Sequence, residues 1–74
     1  MARIEIESDV TGTVWKIEVE EGASVTEGQT LIILESMKME IPVEAEYKGR
    51  IQKILVAEGD PVEEDQDLAI IEVD

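Results

Sequence analysis

The chain has 74 residues, 19 of them acidic and 6 basic, for a net charge of -13, and it contains no His and no Cys. That length holds one domain around one small core, with no disulfide to brace it. The composition excludes the commonest general base, thiol chemistry and the usual zinc sites, and the charge argues against a nucleic-acid partner.

In chain order, Ile4-Glu5-Ile6-Glu7 and Ile17-Glu18-Val19-Glu20 alternate apolar with acidic residues, the period of a strand with one wet face. Glu21-Gly22 marks a turn where glycine supplies positive φ, and Thr26-Glu27-Gly28 marks a second. Leu31 to Leu34 is the longest apolar run, too short to span a bilayer, so no membrane association is expected. The start, Met-Ala-Arg-Ile-Glu-Ile-Glu, lacks the apolar stretch of a secretion signal, and a cytoplasmic location is expected. After Ser36 to Glu40 the pattern begins again. A shift of 37 residues lays Ile4–Glu35 over Ile41–Glu72 without a gap, and 14 of the 32 positions are identical. The identities include Gly12/Gly49, Lys16/Lys53, Glu21/Glu58, Gly22/Gly59, Gln29/Gln66 and Glu35/Glu72; Gly28 gives way to Asp65 at a turn both types tolerate.

Two copies of one motif, each with roughly four short strands, predict an all-β fold: a flattened barrel or sandwich of two small sheets about a pseudo-twofold axis. Residues 1–74 form a single domain on this reading, with halves 4–35 and 41–72 and a hairpin at 36–40. Pro42 and Pro61 are expected near strand starts or edges. The expected core is Val14, Ile17, Val19, Val25, Leu31 and Ile33 with Ile51, Ile54, Val56, Val62, Leu68 and Ile70. Trp15, opposite Gln52 in the repeat, reads as a half-buried packing residue.

Function is expected where the copies do not overlap. Ser36-Met37-Lys38-Met39-Glu40 joins two strands as a tight hairpin with Met37 and Lys38 at its tip, where Asn-Gly or Asp-Gly would be the ordinary choice. A type I′ turn would force both side chains toward positive φ, and local rules tend to fail at functional sites. Lys16 and Lys53 read as solvated strand residues and Lys48 as a loop residue. On the residues alone, Lys38 reads equally well as a plain exposed turn lysine or as a point of attachment. The repeat also lays Met1 over Lys38 and Met37 over Asp74, so the termini are expected at the place symmetry-related to the hairpin, at the other end of the molecule.

Glu35-Ser36-Met37-Lys38-Met39-Glu40-Ile41-Pro42 resembles the attachment motif of biotin carboxyl carrier proteins and biotin-dependent carboxylases, in which Met-Lys-Met follows Ala or Ser and a hydrophobic residue and Pro come shortly after. The spacing Gly12…Gly22…Gly28, repeated at Gly49…Gly59, extends the likeness to biotinyl/lipoyl domains over the whole chain, and most closely to short attachment proteins without a protruding thumb. The resemblance implies a hammerhead-type biotinyl fold, a flattened β-barrel of two four-stranded antiparallel sheets, with biotin joined covalently to Lys38 by a biotin protein ligase. It implies a carrier, not an enzyme, that takes carboxybiotin from a biotin carboxylase to a carboxyltransferase of an acyl-CoA or pyruvate-type carboxylase, a monomer in isolation, such as those serving acetyl-CoA or propionyl-CoA carboxylation in fatty acid biosynthesis. Met37 and Met39 have two readings: filling the core's edge, or helping partner enzymes recognise the tip. A lipoyl carrier is disfavoured, because lipoyl domains place Asp before the lysine and Ala after it. A non-carrier interaction module is disfavoured by the intact motif.

Overall fold

The computed structural model describes residues 2–73, and among them every regular element is a β-strand. The strands are β1 (Ala2–Glu7), β2 (Gly12–Ile17), β3 (Ser24–Val25), β4 (Thr30–Ser36), β5 (Met39–Glu44), β6 (Gly49–Ile54), β7 (Pro61–Val62) and β8 (Asp67–Val73). A 37-residue shift carries each of the first four onto the corresponding one of the last four, end for end. The burial sequences of β1 and β5 are the same, as are those of β2 and β6. All pairings are antiparallel, in two four-stranded sheets ordered β1-β8-β6-β3 and β5-β4-β2-β7. Each sheet therefore takes two strands from each copy, so neither copy has a sheet of its own. Pro42 and Pro61 lie on the edge strands β5 and β7, where a missing N–H leaves no ladder bond unmade.

The repeated turns tie the copies together. Gly22 and Gly59 adopt φ of 89° and 94°. Their amides donate to the carbonyls of Ile51 and Val14 respectively, each in the other copy, at 2.7 Å in both cases. The acidic residue before each glycine does the same with its side chain. Glu58 Oε2 accepts from the Ile17 amide at 3.0 Å, and Glu21 Oε2 accepts from the Ile54 amide at 2.9 Å. Asp65, in the place of Gly28, takes φ of 70° where the glycine has 85°.

The core is Val14, Val25, Leu31, Ile32, Leu34, Ala45, Ile51, Val62, Leu68, Ala69 and Ile71. Five of these, Ile32, Leu34, Ala45, Ala69 and Ile71, lie outside the expected set, and β4 shows why. The β4–β5 ladder slips between Thr30 and Ile32, so Leu31 and Ile32 both face inward and the alternation restarts one residue out of phase. Leu34 is consequently buried and Ile33 turns outward, half-buried. The slip opposite Leu68 does the same to Ala69, Ile70 and Ile71. Ile33 and Ile70 are thus corrected to the outer face. Ile17, Val19, Ile54 and Val56 pack against the core only partly buried.

Trp15 is half-buried, as expected, but on the outer face. The β2–β4 register shifts between Val14 and Lys16, and Trp15 is the extra residue. With Val14 buried and Ile17 packed inward, Trp15 and Lys16 both project outward, and Trp15 remains 49% exposed.

Candidate functional site

β4 and β5 pair from Thr30↔Glu44 up to Ser36↔Met39, leaving Met37 and Lys38 as a two-residue connection. Two-residue loops favour turns whose twist matches that of the strands, and these need positive φ at both central positions. Met37 has φ of 52° and Lys38 φ of 64°. Apart from Asp65, these are the non-glycine residues in the left-handed region among those described. Each such residue costs roughly 1–2 kcal/mol against a right-handed alternative. The hairpin length thus forces both side chains into the conformation that their residue types disfavour.

The tip projects beyond the last ladder pair. Lys38 is exposed, and among the described residues no side-chain hydrogen bond engages it. Met37 is 91% exposed and Met39 63% exposed, which overturns the core-filling reading for both. Met39 does keep the inward parity of Ile41 and Val43, but the core ends below it, just as Ala2 is exposed at the equivalent place in the other sheet. An exposed primary amine between two exposed thioethers, on a narrow, strand-supported tip, is a fitting anchor for an acyl group carried on a long arm.

The base of the hairpin is braced by contacts that the sequence did not reveal. Ser36 Oγ donates to the Thr11 carbonyl at 2.8 Å, and Thr11 Oγ1 accepts from the Glu64 amide at 3.3 Å. Gly12 makes the close approach possible: a Cβ there would overlap the Glu35 carbonyl oxygen and crowd Ser36 Cβ. Only the repeated Gly12/Gly49 pair signalled this in the sequence. On the outer face, Glu35 and Glu40 are register partners, two like charges side by side beneath the tip. Their counterparts in the other sheet, Glu72 and Arg3, are of opposite sign.

Two surface grooves lie elsewhere. One of about 470 Å³ runs between the edge strands β1 and β5, and one of about 580 Å³ lies beside Ser24, Lys48 and Arg50. No residue from 36 to 40 lines either. The expectation for the termini falls on Met1 and Asp74, which lie outside the described residues. Their neighbours Ala2 and Val73 are register partners, and a shift of 37 makes that pair the counterpart of Met39 and Ser36.

Comparison with known proteins gives a consistent picture. The family model described as Biotin-requiring enzyme matches residues 5–71. The biotinylated protein TB7.3 homolog of Mycolicibacterium smegmatis is 45% identical over 38 residues, 51% of this chain and 54% of that protein. The methylmalonyl-CoA carboxyltransferase 1.3S subunit of Propionibacterium freudenreichii subsp. shermanii is 56% identical over 36 residues, 49% of this chain and 29% of the subunit. The matched stretch thus spans about half or less of these relatives. In the crystal structure of the Kluyveromyces lactis urea carboxylase, 6% of the chain superimposes on 97% of this one, with a TM-score of 0.91 and 36% sequence identity.

Proposed function

The chain belongs to the Biotin-requiring enzyme family, and from that premise we propose that it is a biotin carrier of a biotin-dependent carboxylase, modified on Lys38. The observation that supports this most is the tip itself: Lys38 sits in the segment between the two copies, on a two-residue turn held at positive φ. Attachment joins the Lys38 amine to the biotin carboxyl group as an amide, with net loss of water at the expense of ATP consumed by the ligase, so one positive charge is lost and the net charge moves from -13 to -14. Bound biotin supplies a ureido nitrogen that accepts a carboxyl group at one active site and releases it at another.

The chain's own residues supply the rest. The β4–β5 hairpin holds the amine clear of the body, and the four-carbon lysine stem lengthens the arm. Ser36 and Gly12 fix the hairpin's base against the loop before β2. Tethering raises the local concentration of the cofactor at successive active sites, so the partners on this reading are a biotin protein ligase, a biotin carboxylase and a carboxyltransferase. The carboxyltransferase sets the acceptor.

Intact mass and avidin capture after coexpression with a biotin protein ligase test the assignment. One biotinyl group on the wild type and none on Lys38→Ala is the expected result. A wild-type chain that stays unmodified overturns the reading, as does modification persisting in Lys38→Ala. A lipoyl-sized increment in its place would select a lipoyl carrier.

A further inference from the structure

Because the strand pattern is realised twice in one chain, each end of the molecule is a control for the other. A 37-residue shift carries the surroundings of the Lys38 hairpin onto the end where Ala2 pairs with Val73. Many of the polar ties come in matching pairs. Besides Glu58 and Glu21 on the Ile17 and Ile54 amides, Gln66 Oε1 accepts from the Glu63 amide at 2.9 Å, and Gln29 Oε1 accepts from the Thr26 amide at 3.1 Å. The ties between loops match as well: the Asp65 amide donates to the Ser8 carbonyl at 2.7 Å, and the Gly28 amide donates to the Ala45 carbonyl at 2.8 Å. Three hydroxyls at the hairpin end break this match.

The hydroxyl of Ser8, a buried residue, donates to the Val10 carbonyl at 2.6 Å and accepts from the Val10 amide at 3.3 Å, which fixes the loop leading to Thr11. Thr11 then takes two bonds. Its carbonyl accepts from Ser36 Oγ at the base of the hairpin, and its hydroxyl accepts from the Glu64 amide in the turn before β8. The counterparts of Ser8, Thr11 and Ser36 are Ala45, Lys48 and Val73. Ala and Val carry no polar side-chain atom, and an ammonium accepts no hydrogen bond. The same backbone is therefore built at the other end without any of these ties, and Ala45 is buried there just as Ser8 is. The remaining unmatched tie, Asp60 Oδ2 on the Ala57 amide, is local to the turn between β6 and β7. What the hairpin end has in addition is a strained turn. Met37 and Lys38 keep positive φ although both side chains are exposed, and such strain persists only where the surrounding structure over-determines it. The hold comes from the base.

We propose that Ser36 and Thr11, with Ser8 supporting their loop, are positioning residues for biotinylation: they hold the hairpin so that the Lys38 amine meets the activated biotin carboxyl carbon in one orientation. In that step the deprotonated amine forms the C–N bond of the amide, and water is lost overall at the expense of the ligase's ATP. The proposal rests on the carrier reading above, and the experiment separates the two. Ser36→Val and Ser8→Ala install residues that the fold already carries at the counterpart positions, and Thr11→Val removes the Glu64 tie alone. Thermal unfolding is measured first, to show that each variant is folded at the assay temperature. Backbone ¹⁵N relaxation then reads the tip in the unmodified chain, which needs no cofactor. Order parameters at Met37 and Lys38 should be about 0.8 in the wild type and fall to about 0.6 in Ser36→Val, with Gly22 and Gly59 unchanged. Orientation of a nucleophile acts on the chemical step. With biotin protein ligase, biotin and ATP, Ser36→Val should therefore lower kcat roughly tenfold, and Thr11→Val and Ser8→Ala roughly threefold, with KM for the chain kept. Ser36→Thr, which restores a hydroxyl, should recover most of the loss. Unchanged order at the tip or an unchanged kcat in Ser36→Val overturns the proposal, as does a kcat loss that Ser36→Thr leaves in place. A change confined to KM also overturns it, and marks Ser36 as a contact of the ligase instead. Failure of the carrier reading shows separately, as a wild-type chain that stays unmodified in the mass measurement.

Discussion

Met37 and Lys38 occupy backbone conformations that Asn and Gly adopt at lower cost, yet they are the residues at the tip. If φ alone governed the position, Met37→Asn would improve the protein. It should raise stability by about 1 kcal/mol, a gain of roughly 4–8 °C in Tm for a domain of this size. The measurement is thermal unfolding by circular dichroism, and an unchanged or lowered Tm would show that the Met37 side chain repays the turn's strain through contacts of its own. The same variant removes one of the two exposed thioethers, so a fall in ligase kcat/KM alongside the higher Tm is expected if Met37 is recognised. The motif around Lys38 was plainly legible in the sequence. Its strain was legible too, because a five-residue seam between two strands leaves few turn geometries. The brace from Ser36 to Thr11 was not, since a hydroxyl's partner 25 positions away follows from the packing of β2 on β4 and from nothing local.

Among the elements, β2 and β6 set how close the sheet strands can come. A Cβ at Gly12 would meet the Glu35 carbonyl, and one at Gly49 would meet the Glu72 carbonyl in the same way. Gly12→Ala and Gly49→Ala should each destabilise by about 1–3 kcal/mol, and by similar amounts, as measured by denaturant unfolding. Their functional effects should differ. Only Gly12 packs beside Ser36 at the base of the Lys38 hairpin, so only Gly12→Ala should slow biotinylation below its melting range. Equal slowing by Gly49→Ala would show that loss of stability, and not displacement of the hairpin, is the cause. The strands themselves were readable from alternation and from the repeat. Their inward faces were read less well in β4 and β8, where identity between the copies pointed to Ile33 and Ile70. One bulge in each ladder reverses the parity, and a bulge is set by what the neighbouring strand requires.

For the whole molecule, the decisive feature is that both sheets mix strands from both copies. The Glu21 and Glu58 carboxylates reinforce this, each holding a backbone amide in the opposite copy. Residues 1–37 and 38–74, made as separate peptides, should therefore each lack a cooperative unfolding transition by circular dichroism, although each contains four complete strand sequences. A cooperative melt in either peptide alone would contradict the interleaved arrangement. The interleaving also gives a chain with no disulfide and a net charge of -13 a single core: half the strands of each sheet bring the other copy's apolar face with them.

The amino-acid sequence by itself determined the repeat, the strand class, the seam between the copies and the lysine at its tip. All of these rest on local patterning, on the period of alternation, on turn residues, and on comparing one half of the chain with the other. Only the tertiary structure decided which residues of β4 and β8 face inward, that the two copies exchange strands between sheets, and that Ser36 and Thr11 meet at the base of the hairpin. Those outcomes depend on register between strands distant in sequence, and register is settled when the sheets close on a common core.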